Sequence, residues 1–124
     1  MRTLIILCLA TLSVGCSSRS ALDRHLDAAY QHYQVGDCDR VMLELSQAER
    51  RNRPRADLQP EISLLRGQCL ERQGLFVDAA QTYRFIQIRY PASEYAFRGR
   101  ARLETLRQLG HYQPEEVVTH AAKP

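Results

Sequence analysis

Apolar residues in this chain recur at every third or fourth position between a few glycine and proline breaks, and nowhere do several β-branched residues alternate with polar ones. That period is the signature of amphipathic helices, so the pattern predicts an all-α chain. Leu22, Leu26, Ala29 and Tyr33 share one helical face, which ends at Gly36-Asp37. Val41, Leu45 and Ala48 mark a second helix, running out at Asn52-Arg53-Pro54. A polar loop then leads to Pro60, suited to a first helical turn because its missing N–H costs nothing there. Ile62, Leu65 and Cys69 share the third face, broken at Gly74, and Val77, Ala80, Tyr83 and Ile86 the fourth, stopped by Tyr90-Pro91. Ser93 is the expected N-cap of a fifth helix burying Ala96, Leu103 and Leu106, with Gly110 at its end. A short sixth helix is predicted from Gln113 through Val118.

Ahead of these helices stands a different kind of segment. Arg2 precedes an apolar run from Leu4 to Leu12, and Ser13-Val14-Gly15-Cys16 follows. A basic start, an apolar stretch of roughly 7–15 residues and a small-residue site are the parts of a secretory signal peptide. A spanning helix needs about 20 apolar residues, so this run is too short to remain as an anchor. Ending on Gly15-Cys16, the segment resembles the lipobox of bacterial lipoproteins, with Ser13 where that motif usually has Leu. The resemblance implies cleavage before Cys16 and acylation of that cysteine; the alternative is an ordinary secretory signal that happens to end on a cysteine. Several acyl chains on one residue anchor stably where one does not. Ser17, a non-acidic residue after the lipid cysteine, implies by the same resemblance transfer to the outer membrane of a Gram-negative envelope, where the periplasmic face is the expected position and the cell surface the alternative. The chain therefore divides into a signal peptide (1–15), a lipidated tether (16–21), a helical domain (22–118) and a tail (119–124).

The spacing of the helices carries a second resemblance. The stretch from Ser63 to Pro91 resembles a tetratricopeptide repeat, a unit of about 34 residues with the pattern W-x2-L-G-x2-Y…A-x3-F…P. Gly67 stands at the close-contact glycine, Ala79-x3-Tyr83 at A-x3-F, and Pro91 at the closing proline. A more degenerate unit precedes it, with Ala29 for the glycine, Val41 and Leu45. A third begins in register at Phe97 and Ala101 and stops after one helix. Tyr90-Pro91-Ala92-Ser93-Glu94-Tyr95 also resembles the junctions of envelope proteins of this type. The expectation is thus about two and a half antiparallel helix pairs; an ordinary five-helix bundle is the alternative.

Residues that could carry chemistry are few. With the leader removed, Arg2 is lost and 16 Lys+Arg face 14 Asp+Glu, too even a balance to argue for nucleic acid. Cys8 leaves with the leader and Cys16 takes lipid, so Cys38 and Cys69 remain, an even pair for an oxidising compartment. Their positions in adjacent antiparallel helices predict a disulfide; two unbonded buried thiols are the alternative. His25, His32, His111 and His120 lack a second ligand at i+4 and read as surface residues, without a metal. No nucleophile elbow, phosphate loop or dinucleotide fingerprint is present, so neither an enzyme, a cofactor beyond the lipid on Cys16, nor a small-molecule substrate is predicted. Arg50, Arg51, Arg53 and Arg55 form a basic cluster that suits either a solvated linker or anionic headgroups. Glu94, Arg98 and Arg102 follow one another at i,i+4 spacing, fit for pairing along one helix.

First helices of tetratricopeptide units line a groove that takes peptides or extended segments. By that resemblance the groove presents Leu26, Tyr30 and Tyr33, then Leu64, Gln68 and Glu71, then Tyr95, Arg98 and Arg102. The expected function is a membrane-anchored adaptor that binds an envelope protein through this groove, during secretion, pilus or outer-membrane complex assembly. Two other classes remain: a permanent structural subunit of an envelope complex, meeting another chain through Phe97, Leu106 and Leu109, and an accessory to an envelope enzyme.

Overall fold

The computed structural model describes residues 21–52 and 56–114, all helical or in turns. The leader, Cys16 and the tether to residue 20, Arg53, Arg55, and Glu115 onward lie outside the described residues. Helix α1 spans 21–34, α2 Cys38–Arg51, α3 Gln59–Arg72, α4 Phe76–Arg89 and α5 Glu94–Gln108. Ala56–Leu58 forms a 3-10 turn where a plain loop was expected, leading into α3 with Pro60 in its first turn. Asp37 caps α2 by accepting the Arg40 N–H at 3.1 Å, and Ser93 caps α5 by accepting that of Tyr95. Of the sixth helix only Gln113 and Pro114 are described, and both are non-helical.

Three helices end in the same way. Gly36, Gly74 and Gly110 take φ of 79°, 75° and 76°, a left-handed conformation that costs a side chain with Cβ dearly. After each, the next N–H reaches back five residues: Asp37 to His32, Leu75 to Leu70, His111 to Leu106. Each glycine N–H reaches back three. This double bond satisfies carbonyls orphaned at the helix end and reverses the chain. The reversals fall after α1, α3 and α5, the first helix of each pair. The fold is all-α, made of adjacent antiparallel helix pairs: α1–α2, α3–α4, and α5 as half of a third, consistent with a tetratricopeptide-like arrangement.

Helix α3 is the centre. It buries Ile62, Leu65 and Cys69 into one core with Leu22, Ala29, Val41, Leu45 and Ala48, and Leu64 and Leu70 into a second with Ala80, Tyr83, Ile86, Ala96 and Leu106. A helix apolar around most of its circumference has to be covered on more than one side. Along with α4, it touches α2 on one flank and α5 on another. The packing corrects four expected positions. Leu26 and Leu64 lie in the cores, because the apolar stripes of α1 and α3 are wide enough to need them, so neither lines a groove. Val77 is 67% exposed, while Ala79, Ala80, Tyr83 and Ile86 fill the interior. Leu106 is buried among α4 and α5 side chains, leaving Phe97 and Leu109 as the exposed apolar residues of α5 and its end.

The closest approach lies at Gly67. A Cβ there would sit 2.5 Å from Cε1 of Tyr83, whose ring is fully buried between α3 and α5. Small-to-large changes in a filled core cost about 1–3 kcal/mol, which exceeds the helix propensity gained by removing a glycine. Gly67→Ala is expected to lower the unfolding midpoint in urea with an unchanged slope, by about 1–2 kcal/mol. Gly67→Ala combined with Tyr83→Leu should recover part of that loss.

Cys38 at the start of α2 and Cys69 near the end of α3 stand at disulfide distance, with Cα atoms 5.4 Å apart and a sequence separation of 31. A bond closing such a loop stabilises by about 3–4 kcal/mol in the chain-entropy account. Protein from an oxidising compartment should be two mass units lighter than its reduced form, and Cys38→Ser should unfold earlier than the parent by that margin. Free thiols at both positions would reject the bond.

Candidate interaction surface on the first helices of each pair

Helices α1, α3 and α5 bring seven expected residues to one face. Tyr30 donates its hydroxyl to Oε1 of Glu61 at 2.7 Å, joining α1 to the start of α3. Tyr95, at the start of α5, lies beside the same carboxylate, and the Arg98 guanidinium carbon is 5.7 Å from the Tyr95 ring centroid. Further along, Arg72 stacks 3.7 Å over the Tyr33 ring and donates to the Tyr33 carbonyl at 2.6 Å. Glu71 takes a two-pronged pair from Arg102 across α3 and α5, with its Oε1 accepting from Nε at 3.0 Å. Tyr33, Gln68, Glu71, Arg72 and Arg102 enclose a recess of about 280 Å³.

Periodicity places these residues and tertiary contact chooses their partners. Arg102 pairs with Glu71 rather than along its own helix with Arg98 and Glu94, because the α3–α5 contact holds that carboxylate, 11% exposed, within reach of its planar fork. Such half-buried charge-assisted bonds are stronger than those between exposed neighbours. Below the pair lies the Tyr83 hydroxyl, buried and without a well-formed hydrogen bond, although Glu71 and Arg102 are beside it. Burial first, and Glu71 second, hold its proton well above the ordinary range of a phenol.

Two members of the face were missed from sequence: Glu61 and Arg72. Glu61 stands seven residues before Gln68, two turns along the same face, and Arg72 one turn after it, so helical spacing alone contains both. Their importance comes from Tyr30, Tyr33 and Tyr95, which are distant in sequence. His25 differs from its surface reading: half-buried, it places Nδ1 2.6 Å from Oε2 of Glu44, bridging α1 to α2. His111 is exposed as expected, with its ring stacked on Phe76 at 3.8 Å. Among the described residues no three His, Cys, Asp or Glu side chains converge as a metal site would require. His120 lies outside the described residues.

No family model, curated protein or solved structure matches the chain, which leaves geometry as the guide to its role.

Desolvation first, and the Glu61 carboxylate second, push the Tyr95 phenol up to about 12, since both disfavour a phenolate. Glu61→Gln removes the charge and should lower that value toward the ordinary 10. An ultraviolet difference titration reads it directly, and an unchanged tyrosine titration would place Glu61 away from Tyr95. The sign follows for stability: a phenol whose folded pKa is raised stabilises the fold below pH 10 and loses that contribution as pH climbs toward 12.

Proposed function

We propose that this chain is a non-enzymatic adaptor lipoprotein, anchored by lipid on Cys16 at the periplasmic face of the outer membrane, whose α1–α3–α5 face binds a segment of an envelope protein. The observation that carries the reading is the set of groups left available on that face. Arg72 and Arg98 each rest on a tyrosine ring, and neither has a carboxylate partner among the described residues. Tyrosine and arginine are the residue types that contribute most at interfaces, and a guanidinium already oriented by a ring loses little freedom on binding. The ordered face needs no rearrangement to receive an extended segment. Lipid tethering raises the effective concentration of the face near envelope partners, so a modest affinity suffices. No described helix is long and apolar enough to cross a membrane.

A second reading, a permanent subunit, draws on Phe97, 71% exposed, and Leu109, 64% exposed. Both lie on or just after α5, whose pair lacks a second helix among the described residues.

Photoreactive residues in place of Tyr30 or Arg98 in the lipidated protein distinguish the two. The adaptor reading predicts one dominant envelope protein captured from these positions, and loss of that adduct on replacing Arg72 by Ala. Capture from Phe97 or Leu109 with none from the face would assign the chain to a permanent complex. Cys16→Ala is expected to release the protein from membranes washed at high salt, which screens any charge-based binding, and its stable retention there would reject the anchor.

A further inference from the structure

A second surface lies on the opposite side of α3. Ser63, two residues and just over half a turn from Glu61, faces a furrow of about 370 Å³ between α2 and α4. Glu49, Arg66, Asp78 and Phe85 also line it. The exposed outward faces of α2 and α4 extend away from this furrow. On α2 they present Arg40, Leu43 and Arg50 at i, i+3 and i+10; on α4, Phe85, Ile88 and Arg89, with Arg84 at the far edge beside His111 and Tyr112. Leu43 is 55% exposed, Phe85 42% and Ile88 72%.

The charge on these faces is one-sided because the acidic residues of α2 are turned to its neighbours. Asp39 accepts from Gln73, Glu44 meets His25, and Glu49 is held by Arg66 and Gln59. The bonds from Arg66 hold the Glu49 carboxyl below the ordinary carboxylate range, so it stays charged and paired. Arg40, Arg50, Arg84 and Arg89 have no carboxylate partner among the described residues, and exposed Asp78 is the single acid of α4. What remains outward is arginine interleaved with large apolar side chains. A protein partner would be matched by shape, but this composition suits a surface that offers negative charge everywhere and apolar depth beneath it.

We infer that the outer faces of α2 and α4 lie against the anionic phospholipid headgroups of a membrane. Arg40, Arg50, Arg84 and Arg89 meet the phosphates, while Leu43, Phe85 and Ile88 reach the acyl boundary. The α1–α3–α5 face then points away from the bilayer, open to the surrounding space. The inference stands on this surface alone and is independent of what the other face binds.

The test uses the full chain bound to vesicles, with a benzophenone side chain at Leu43, Ile88 or, as the opposite face, Tyr95. With mixed phosphatidylglycerol–phosphatidylcholine vesicles, lipid adducts are expected from Leu43 and Ile88 and not from Tyr95. A basic residue near an anionic surface contributes about fivefold in partitioning, so Arg50→Glu with Arg89→Glu should cut those adducts roughly twentyfold or more. High salt should weaken them too, since it shortens the reach of the charges. Circular dichroism of the double variant, changed only at exposed positions, should match the parent. Equal adducts on pure phosphatidylcholine, equal adducts from Tyr95, insensitivity to charge reversal, or capture of a second protein chain at Leu43 and Ile88 would each overturn the assignment. Because the readout is lipid, failure here leaves capture of a protein at Tyr30 or Arg98 untouched.

Discussion

Almost everything in this molecule depends on α3 being covered from two sides. A helix with Ile62, Leu65 and Cys69 on one flank and Leu64 and Leu70 on another cannot be stable at the surface, since burying one stripe leaves the other in water. The α1–α2 pair answers that demand from one side, and α4 with α5 from the other. Gly67 then determines how closely α4 approaches, because the Tyr83 ring occupies the space a Cβ would fill. With Tyr83 seated there, α5 packs on its far side, where Gly99 meets the same residue at ordinary contact distance. The position of α5, and with it Tyr95, Arg98 and Arg102, follows from that one close contact.

The two surfaces proposed as interfaces are products of the same arrangement. Stacking first helices beside one another collects Tyr30, Glu61 and Tyr95 at one end of a face and Tyr33, Glu71, Arg72 and Arg102 at the other. Stacking second helices leaves α2 and α4 as the banks of a furrow on the back of α3. Ion pairs across helices sort the charges between these surfaces. Glu44 and Glu49 are drawn inward by His25 and Arg66, so arginine predominates on the back; Glu71 is engaged by Arg102, so Arg72 and Arg98 remain available in front. Each pair is modest by itself. Their joint effect is to decide which charges are left to meet something else.

The secondary structure was legible because it is a local property. Glycines at 36, 74 and 110, prolines at 60 and 91, and apolar residues at helical spacing determine where each helix begins and ends, with no information needed from the rest of the chain. The shared face of Tyr30, Tyr33, Gln68, Glu71, Tyr95, Arg98 and Arg102 was legible by repeat spacing as well. Its partners were not. Val77 shares a helical period with Ala80 and Tyr83, yet the packing of α4 leaves it in solvent while its neighbours are buried. Leu26 and Leu64 fit a groove by register but were claimed by the cores, because burying a leucine is worth about 2 kcal/mol and neither had a polar reason to stay outside. Arg102 had Glu94 two turns away on its own helix, yet found Glu71, 31 residues earlier in the chain. The sequence by itself determined where the five described α-helices begin and end and most of their apolar faces, since these rest on bonds and periods of a few residues. The tertiary structure alone decided which charges cancel and which remain, because ion pairing depends on distances of a few ångströms between helices that sequence spacing does not specify.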